Sequence, residues 1–293
     1  MFAWISGVLA DLRVLRSIWF KQLSGDTHAE RLDNFYKNQA DAYDRFRKNF
    51  LHGREPLVEQ VAAEIRKRDA EAGDNRDVVW VDLGGGTAEN VDMMSKYIGL
   101  DRFKKIYVVD LCSSLCKIAI DKVAKKGWTN VTVVEEDACV FSLPDGEDDD
   151  DDGHDAVRTT RATKAKKKSS SSSSSKSSNP MVVVTFSYSL SMIPPFHSAV
   201  DNAMSLLGSD GLLGIADFYV SGKFDKADRQ MSTTARWFWR CTFDTDNIDI
   251  GPERRDYVDL RGEMLYELNS AGGIPYVPLL KAPYYVWVGR KKD

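Results

Sequence analysis

The chain has 293 residues, 43% hydrophobic and 29% charged, which is ample for one domain with a sizeable core. A formal net charge of −4 excludes a general nucleic-acid binder, which needs a surplus of basic groups. Cys112, Cys116, Cys139 and Cys241 show no C-x-x-C spacing and the four histidines are scattered, so no metal site is expected. The thiols read as reduced, in a protein facing the cytosol.

Residues 1–25 read as an amphipathic helix, with Ile5, Val8, Leu9, Leu12, Leu15, Trp19 and Leu23 on one face and Arg16 intruding on it. Its uncharged run is too short to span a bilayer, and it makes a poor signal peptide. Two readings stay open: a helix packed on the domain, or one lying in a membrane interface. Residues 30–70 read as helical with a break at 51–56, where Pro56 suits the first turn of a new helix. Tyr43 and Arg54 lie upstream of the first strand, where a preceding helix can fold over a ligand. A Tyr there can stack or hydrogen-bond, and an Arg can hold a carboxylate.

The stretch from Val78 to Glu89 is a buried strand ending in Asp82-Leu83, then Gly84-Gly85-Gly86-Thr87, then a helix start. Glycines there let backbone N–H groups approach a ligand. No Lys follows at the spacing of a phosphate loop, and Glu89 stands where a dinucleotide fingerprint needs its third glycine. A glycine-rich loop without a ligand is the bland alternative. The remaining pattern, acid-x-Gly-x-Gly, resembles the first motif of class I S-adenosylmethionine (SAM) methyltransferases, in which Asp82, Gly84, Gly85, Gly86 and Thr87 would lie along the cofactor.

A helix is expected from Glu89 to Ile98, then a second strand over 106–110 ending in Asp110-Leu111. A carboxylate at that tip can accept both ribose hydroxyls. A helix over 113–126 and a third strand over 131–134 follow. Asp137 with Ala138 can receive an adenine ring and its amino group; a solvated acidic loop is the plainer reading. Residues 145–180 hold eight acids from Asp145 to Asp155, seven bases from Arg158 to Lys176 and an unbroken serine run, Ser169–Ser175. With no apolar periodicity, the segment reads as a disordered insert.

The fourth strand is expected over 181–186. The loop from Ser187 to Pro195 sits at its carboxyl end, where open α/β sheets bind ligands, so Ser187, Tyr188 and Met192 are placed at the meeting point of cofactor and substrate. A helix over 199–207, a fifth strand over 212–218 and an aromatic, basic helix over 228–241 come next. Then come a helix over 254–268 and two strands, 276–280 and 284–290, paired as a hairpin. The expected architecture is α/β: a mostly parallel seven-stranded sheet, Rossmann-like, with a C-terminal antiparallel hairpin and helices on both faces.

Tyr43-Asp44 with Gly53-Arg54-Glu55, Ser187-Tyr188-Ser189-Leu190-Ser191-Met192-Ile193-Pro194, Arg236-Trp237-Phe238-Trp239-Arg240, Gly251-Pro252-Glu253-Arg254-Arg255 and Tyr284-Tyr285-Val286-Trp287-Val288-Gly289-Arg290 together resemble one family. It is the methyltransferase part of betaine-lipid synthase, and the likeness covers roughly 30–290 outside the insert. The resemblance implies SAM as cofactor and trimethylation of the amine of diacylglyceryl-homoserine. It also implies a partner supplying the aminocarboxypropyl transfer, and peripheral membrane contact. Under it, Tyr188, Trp237 and Trp239 would offer aromatic faces to the quaternary ammonium, and Arg236 and Arg240 would hold the homoserine carboxylate. Tyr188 and Asp217 are candidates for the amine proton by position only. Methylation of another amine, or a SAM-binding subunit without turnover, stay open.

Overall fold

A computed structural model describes residues 26–27, 30, 33, 49–72, 76–144, 157–159, 180–245, 248–275 and 277–292. Tyr43 and the helix expected over 1–25 lie outside them. The central strand β1 (Val78–Leu83) is buried along its whole length. It pairs in parallel with β2 (Phe103–Asp110) on one side and β5 (Met181–Ser187) on the other. β5 and β6 (Leu212–Phe218) are also buried throughout, which is why they read as continuous apolar runs rather than alternating ones.

The full order is β4-β3-β2-β1-β5-β6-β8-β7, with β3 at Val131–Glu135, β4 at Val157–Thr159, β7 at Gly262–Ile274 and β8 at Val277–Lys291. From β1 the chain moves outward through β2 and β3, then returns to the other side of β1 at β5. Loops leaving the tips of β1 and β5 therefore diverge and open a crevice. α1 (Arg54–Ala72), α2 (Glu89–Met94) and α3 (Ser113–Lys126) cover one face. α4 (Phe196–Leu206) and α6 (Glu253–Arg261) cover the other. In α1, Leu57, Val58, Val61, Ala62 and Ile65 form the inward stripe. Trp80 faces that layer fully buried, with its indole N–H donating to Thr185 Oγ1 at 2.8 Å. An aromatic of this size withdraws roughly 200 Å² from water, about 5 kcal/mol as an upper bound.

Three expectations need correction. The helix begun at Glu253 stops at Arg261, and Gly262–Ile274 is a strand, β7. The two short strands expected after it are one strand, β8 (Val277–Lys291), which pairs antiparallel with β7 as far as Ile274 opposite Val277. β7 is a half-exposed edge strand whose burial does not alternate cleanly, and its polar residues mimicked a helix surface. Gly262 and Gly289 make room for Trp287, since a Cβ on either would lie 2.5 or 2.4 Å from its ring. The sheet also has an eighth strand, β4 (Val157–Thr159), inside the segment read as disordered. It pairs with β3, whose outer edge offers unpaired backbone groups. Apart from Pro180, the rest of the insert lies outside the described residues.

Candidate active site

The glycine turn is held from below by the strand tips. Gly84 N and Gly85 N both donate to Val109 O, at 2.8 and 3.1 Å. Gly84 and Gly86 are left-handed, at φ 72° and 57°, a conformation glycine adopts without steric cost. A Cβ on Gly84 would lie 2.3 Å from Ser189 Cβ, so the turn and the loop after β5 pack as closely as backbone allows. Asp110 completes the turn: one carboxylate oxygen accepts from Gly86 N and the other from Cys112 N, both at 2.9 Å. Asp137 holds its own turn through Cys139 N at 2.8 Å.

A cleft of about 690 Å³, its open mouth included, runs between these tips and the loop after β5. Gly84, Gly86, Asp110, Leu111, Asp137 and Ala138 line one side; Tyr188 and Met192 line the other. Leu115, Glu136, Ser189, Ile193, Pro194 and Pro195 join them without having been singled out. The signal for Leu115 was its place one turn into α3. For the others it was membership of loops already assigned to the ligand.

Several expected contacts lie elsewhere. Asp82 is fully buried beneath the turn, accepting from Thr185 Oγ1 at 2.6 Å and Asn90 Nδ2 at 2.8 Å. Burial raises its pKa, opposed by those two hydrogen bonds. It braces the turn instead of lining the cleft. Gly85 is packed against it: a Cβ there would lie 2.9 Å from Asp82 Oδ2. Arg54, Thr87 and Ser187 are buried outside the lining, and Ser187 Oγ has no hydrogen-bond partner among the described residues.

Asp217 is also committed. One oxygen accepts from Ser191 N (2.8 Å); the other accepts from Ser191 Oγ (2.7 Å) and Phe218 N (2.8 Å). Burial pushes its pKa up to about 6 against those bonds. These bonds make Asp217 a brace of the cleft wall. Tyr188, at φ 56°, accepts from Gly53 N at 2.8 Å, and burial raises its pKa further from neutrality.

Arg236, Trp237, Trp239 and Arg240 belong to α5 (Thr233–Asp244) and do not line the cleft. Trp239 is buried, whereas Trp237 is 69% exposed. The Gly251–Arg255 segment reaches the wall indirectly. Arg254 donates to Leu190 O (3.2 Å) and Asp249 Oδ2 (2.6 Å), and Asp249 N donates to Ser191 O (3.0 Å).

The cradle fits SAM. The glycine turn presents backbone without side chains, Asp110 brings a carboxylate to the cleft at the place for a ribose diol, and Asp137 with Ala138 offers an acceptor beside room for a ring. Fold and cleft together define a methyltransferase of class I architecture. A methyltransferase-domain family model matches residues 44–254, well over half the chain, and the chain belongs to that family. Solved structures of like fold include the mitomycin 7-O-methyltransferase MmcR, at 11% identity and TM-score 0.52, covering 97% of this chain and 67% of that one. YcgJ from Bacillus subtilis matches at 11% identity and TM-score 0.50, covering 83% of this chain and 100% of that one. BH2331 from Bacillus halodurans C-125 matches at 12% identity and TM-score 0.50, covering 79% and 99%. A search of curated proteins finds no match. The protein is a methyltransferase, and SAM is its cofactor.

Proposed function

We propose that this methyltransferase trimethylates the amine of diacylglyceryl-homoserine, giving the betaine lipid diacylglyceryl-trimethylhomoserine. SAM supplies an electrophilic methyl group carried on a sulfonium. The chain's own part is to align the amine, exclude water and accommodate growing positive charge. Residues at the cofactor side are Asp110, Leu111, Asp137 and Ala138; Tyr188 and Met192 face the amine.

The observation that carries this reading is the composition of the cleft lining. Among the described residues it holds three carboxylates (Asp110, Glu136, Asp137), Tyr188 and an apolar wall at 192–195, and no Lys, Arg or His. Such a lining suits a substrate that becomes a quaternary ammonium, through aromatic contacts of ~0.5–2 kcal/mol and the absence of repelling cations. Among the described residues it also holds no nucleophile–base pair, which direct transfer to an amine does not need. The sequence segments resembling betaine-lipid synthase bear on the same place: 187–194 forms the wall and 251–255 braces it.

The test is incubation with SAM and, separately, diacylglyceryl-homoserine, phosphatidylethanolamine and a soluble amino acid, with products read by mass spectrometry. Expected are mono-, di- and trimethylated diacylglyceryl-homoserine with matching S-adenosylhomocysteine. Methylation of only another amine, or SAM binding without S-adenosylhomocysteine, would overturn the assignment. An aminocarboxypropyl transferase that makes the precursor is the partner class this reading requires.

A further inference from the structure

We infer that the outward face of α5, with Phe224 on the segment leading into it, docks this enzyme on an anionic lipid surface. The inference rests on the lipid-substrate reading above and adds to it where the protein meets its substrate. Among the described residues no helix is long and apolar enough to cross a membrane.

Three consecutive aromatics cannot share one side of a helix. In α5, Trp239 and Phe243 take the inward stripe, each 6% exposed. Trp237 and Phe238 are left outside, 69% and 41% exposed. Phe224 is 90% exposed, with Lys223 Nζ 5.3 Å from its ring centroid. Exposed tryptophan and phenylalanine grouped with basic side chains are the chemistry of a membrane interface: rings enter the acyl boundary and cations meet anionic head groups. Arg236 and Arg240 flank the aromatics four residues apart, and the helix carries no acid before Asp244. Of the acids nearby, Asp225 is turned inward, accepting from Gly222 N and Lys226 N, while Asp228, Asp244 and Asp249 are exposed.

The face is also rigidly mounted and joined to the cleft. Ser232 caps α5 by accepting from Ala235 N at 3.2 Å. Arg229 ties the preceding segment to Asp259 (2.9 Å) and Glu267 (2.6 Å). From the cleft wall, Tyr188 touches Phe218 (4.6 Å between centroids), and Phe218 touches Phe243 (4.6 Å). Phe243 then meets Trp239 at 5.9 Å, and Trp239 meets Phe238 at 5.0 Å. A bilayer bound at α5 is therefore one file of tilted and edge-on ring contacts from the amine's place. A diacyl substrate needs that proximity, since its chains stay in the bilayer while its head group enters.

The test is flotation of the full chain with phosphatidylcholine vesicles, with and without phosphatidylserine, for wild type and the Trp237→Ala/Phe238→Ala variant. The altered side chains are exposed, so SAM affinity and melting temperature serve as controls for folding. Expected are stronger association with the phosphatidylserine vesicles and about a tenfold loss in the variant. A Phe224→Ala variant should lose several-fold. Equal association of wild type and variant overturns the inference, whichever amine is methylated. A wild-type dimer that the double substitution turns into a monomer, with vesicle association unchanged, makes the face a contact between copies instead. Vesicle association without methylation of any amine lipid removes the substrate reading and leaves the docking surface standing.

Discussion

Gly84→Ala and Gly127→Ala form a matched pair that isolates the tight contact at the cleft. Both glycines are left-handed, at φ 72° and 66°, so each substitution carries backbone strain of about 1–2 kcal/mol. A Cβ on Gly127, at the C-terminus of α3, meets nothing within 4 Å. On Gly84 it would sit 2.3 Å from Ser189 Cβ, more than an ångström inside ordinary carbon contact. Ser189 cannot yield freely, because its hydroxyl donates to Leu83 O at 2.7 Å. Overpacking of this kind adds about 1–3 kcal/mol, so Gly84→Ala should cost about 2–5 kcal/mol against about 1–2 for Gly127→Ala. Urea unfolding gives the stabilities and calorimetry the SAM affinities. Only Gly84→Ala should weaken SAM, because Gly84 and Ser189 both line the cleft. Equal destabilisation, or wild-type SAM affinity in Gly84→Ala, would refute the reasoning.

Thr185→Val keeps the shape but strips a hydroxyl that serves both Trp80 Nε1 and Asp82. Two buried groups lose a partner, so urea unfolding should show a loss of about 2–5 kcal/mol; a loss under about 1 would speak against the bracing role. Asp217 has a folded pKa near 6, above its unfolded value of 3.8. Its contribution is therefore fully present below about pH 4 and is lost as pH rises through about 6, roughly 3 kcal/mol in all. In Asp217→Asn that component should vanish from the stability–pH curve; an unchanged curve contradicts it. Arg254→Lys keeps the charge but loses the fork that spans Leu190 O and Asp249. Steady-state kinetics should show a several-fold rise in KM for the amine lipid with SAM affinity intact, and a fall in SAM affinity alone would place Arg254 elsewhere.

Much of this architecture was legible because the sheet is parallel and buried. α3 and β6 begin and end where their periodicity does, and the acids at the tips of β2 and β3 mark the cleft. The failures have a common physical source. A strand-end acid reveals where a strand stops, but its side chain can point into the crevice or into a helix layer. Asp82 shares the parity of Trp80, which faces α1, and its carboxylate is spent inside. Asp217 likewise turns to Ser191, a partner no local pattern announces. The misread β7 lies at a sheet edge, where half-exposure erases the alternation that identifies strands. The aromatic block of α5 does not reveal in sequence which of its rings is buried; packing against Phe243 selects Trp239 and leaves Trp237 and Phe238 outside.

Calorimetric titration of SAM into the wild-type chain and Asp110→Ala tests the central claim most directly. Asp110 fixes Gly86 through its N–H and lines the cleft, so its carboxylate supports both turn and ligand. One-site binding by wild type and a loss of at least about tenfold in the variant are predicted, from two charge-assisted bonds removed. Equal affinity in the two proteins would place the cofactor somewhere other than the tips of β1, β2 and β3.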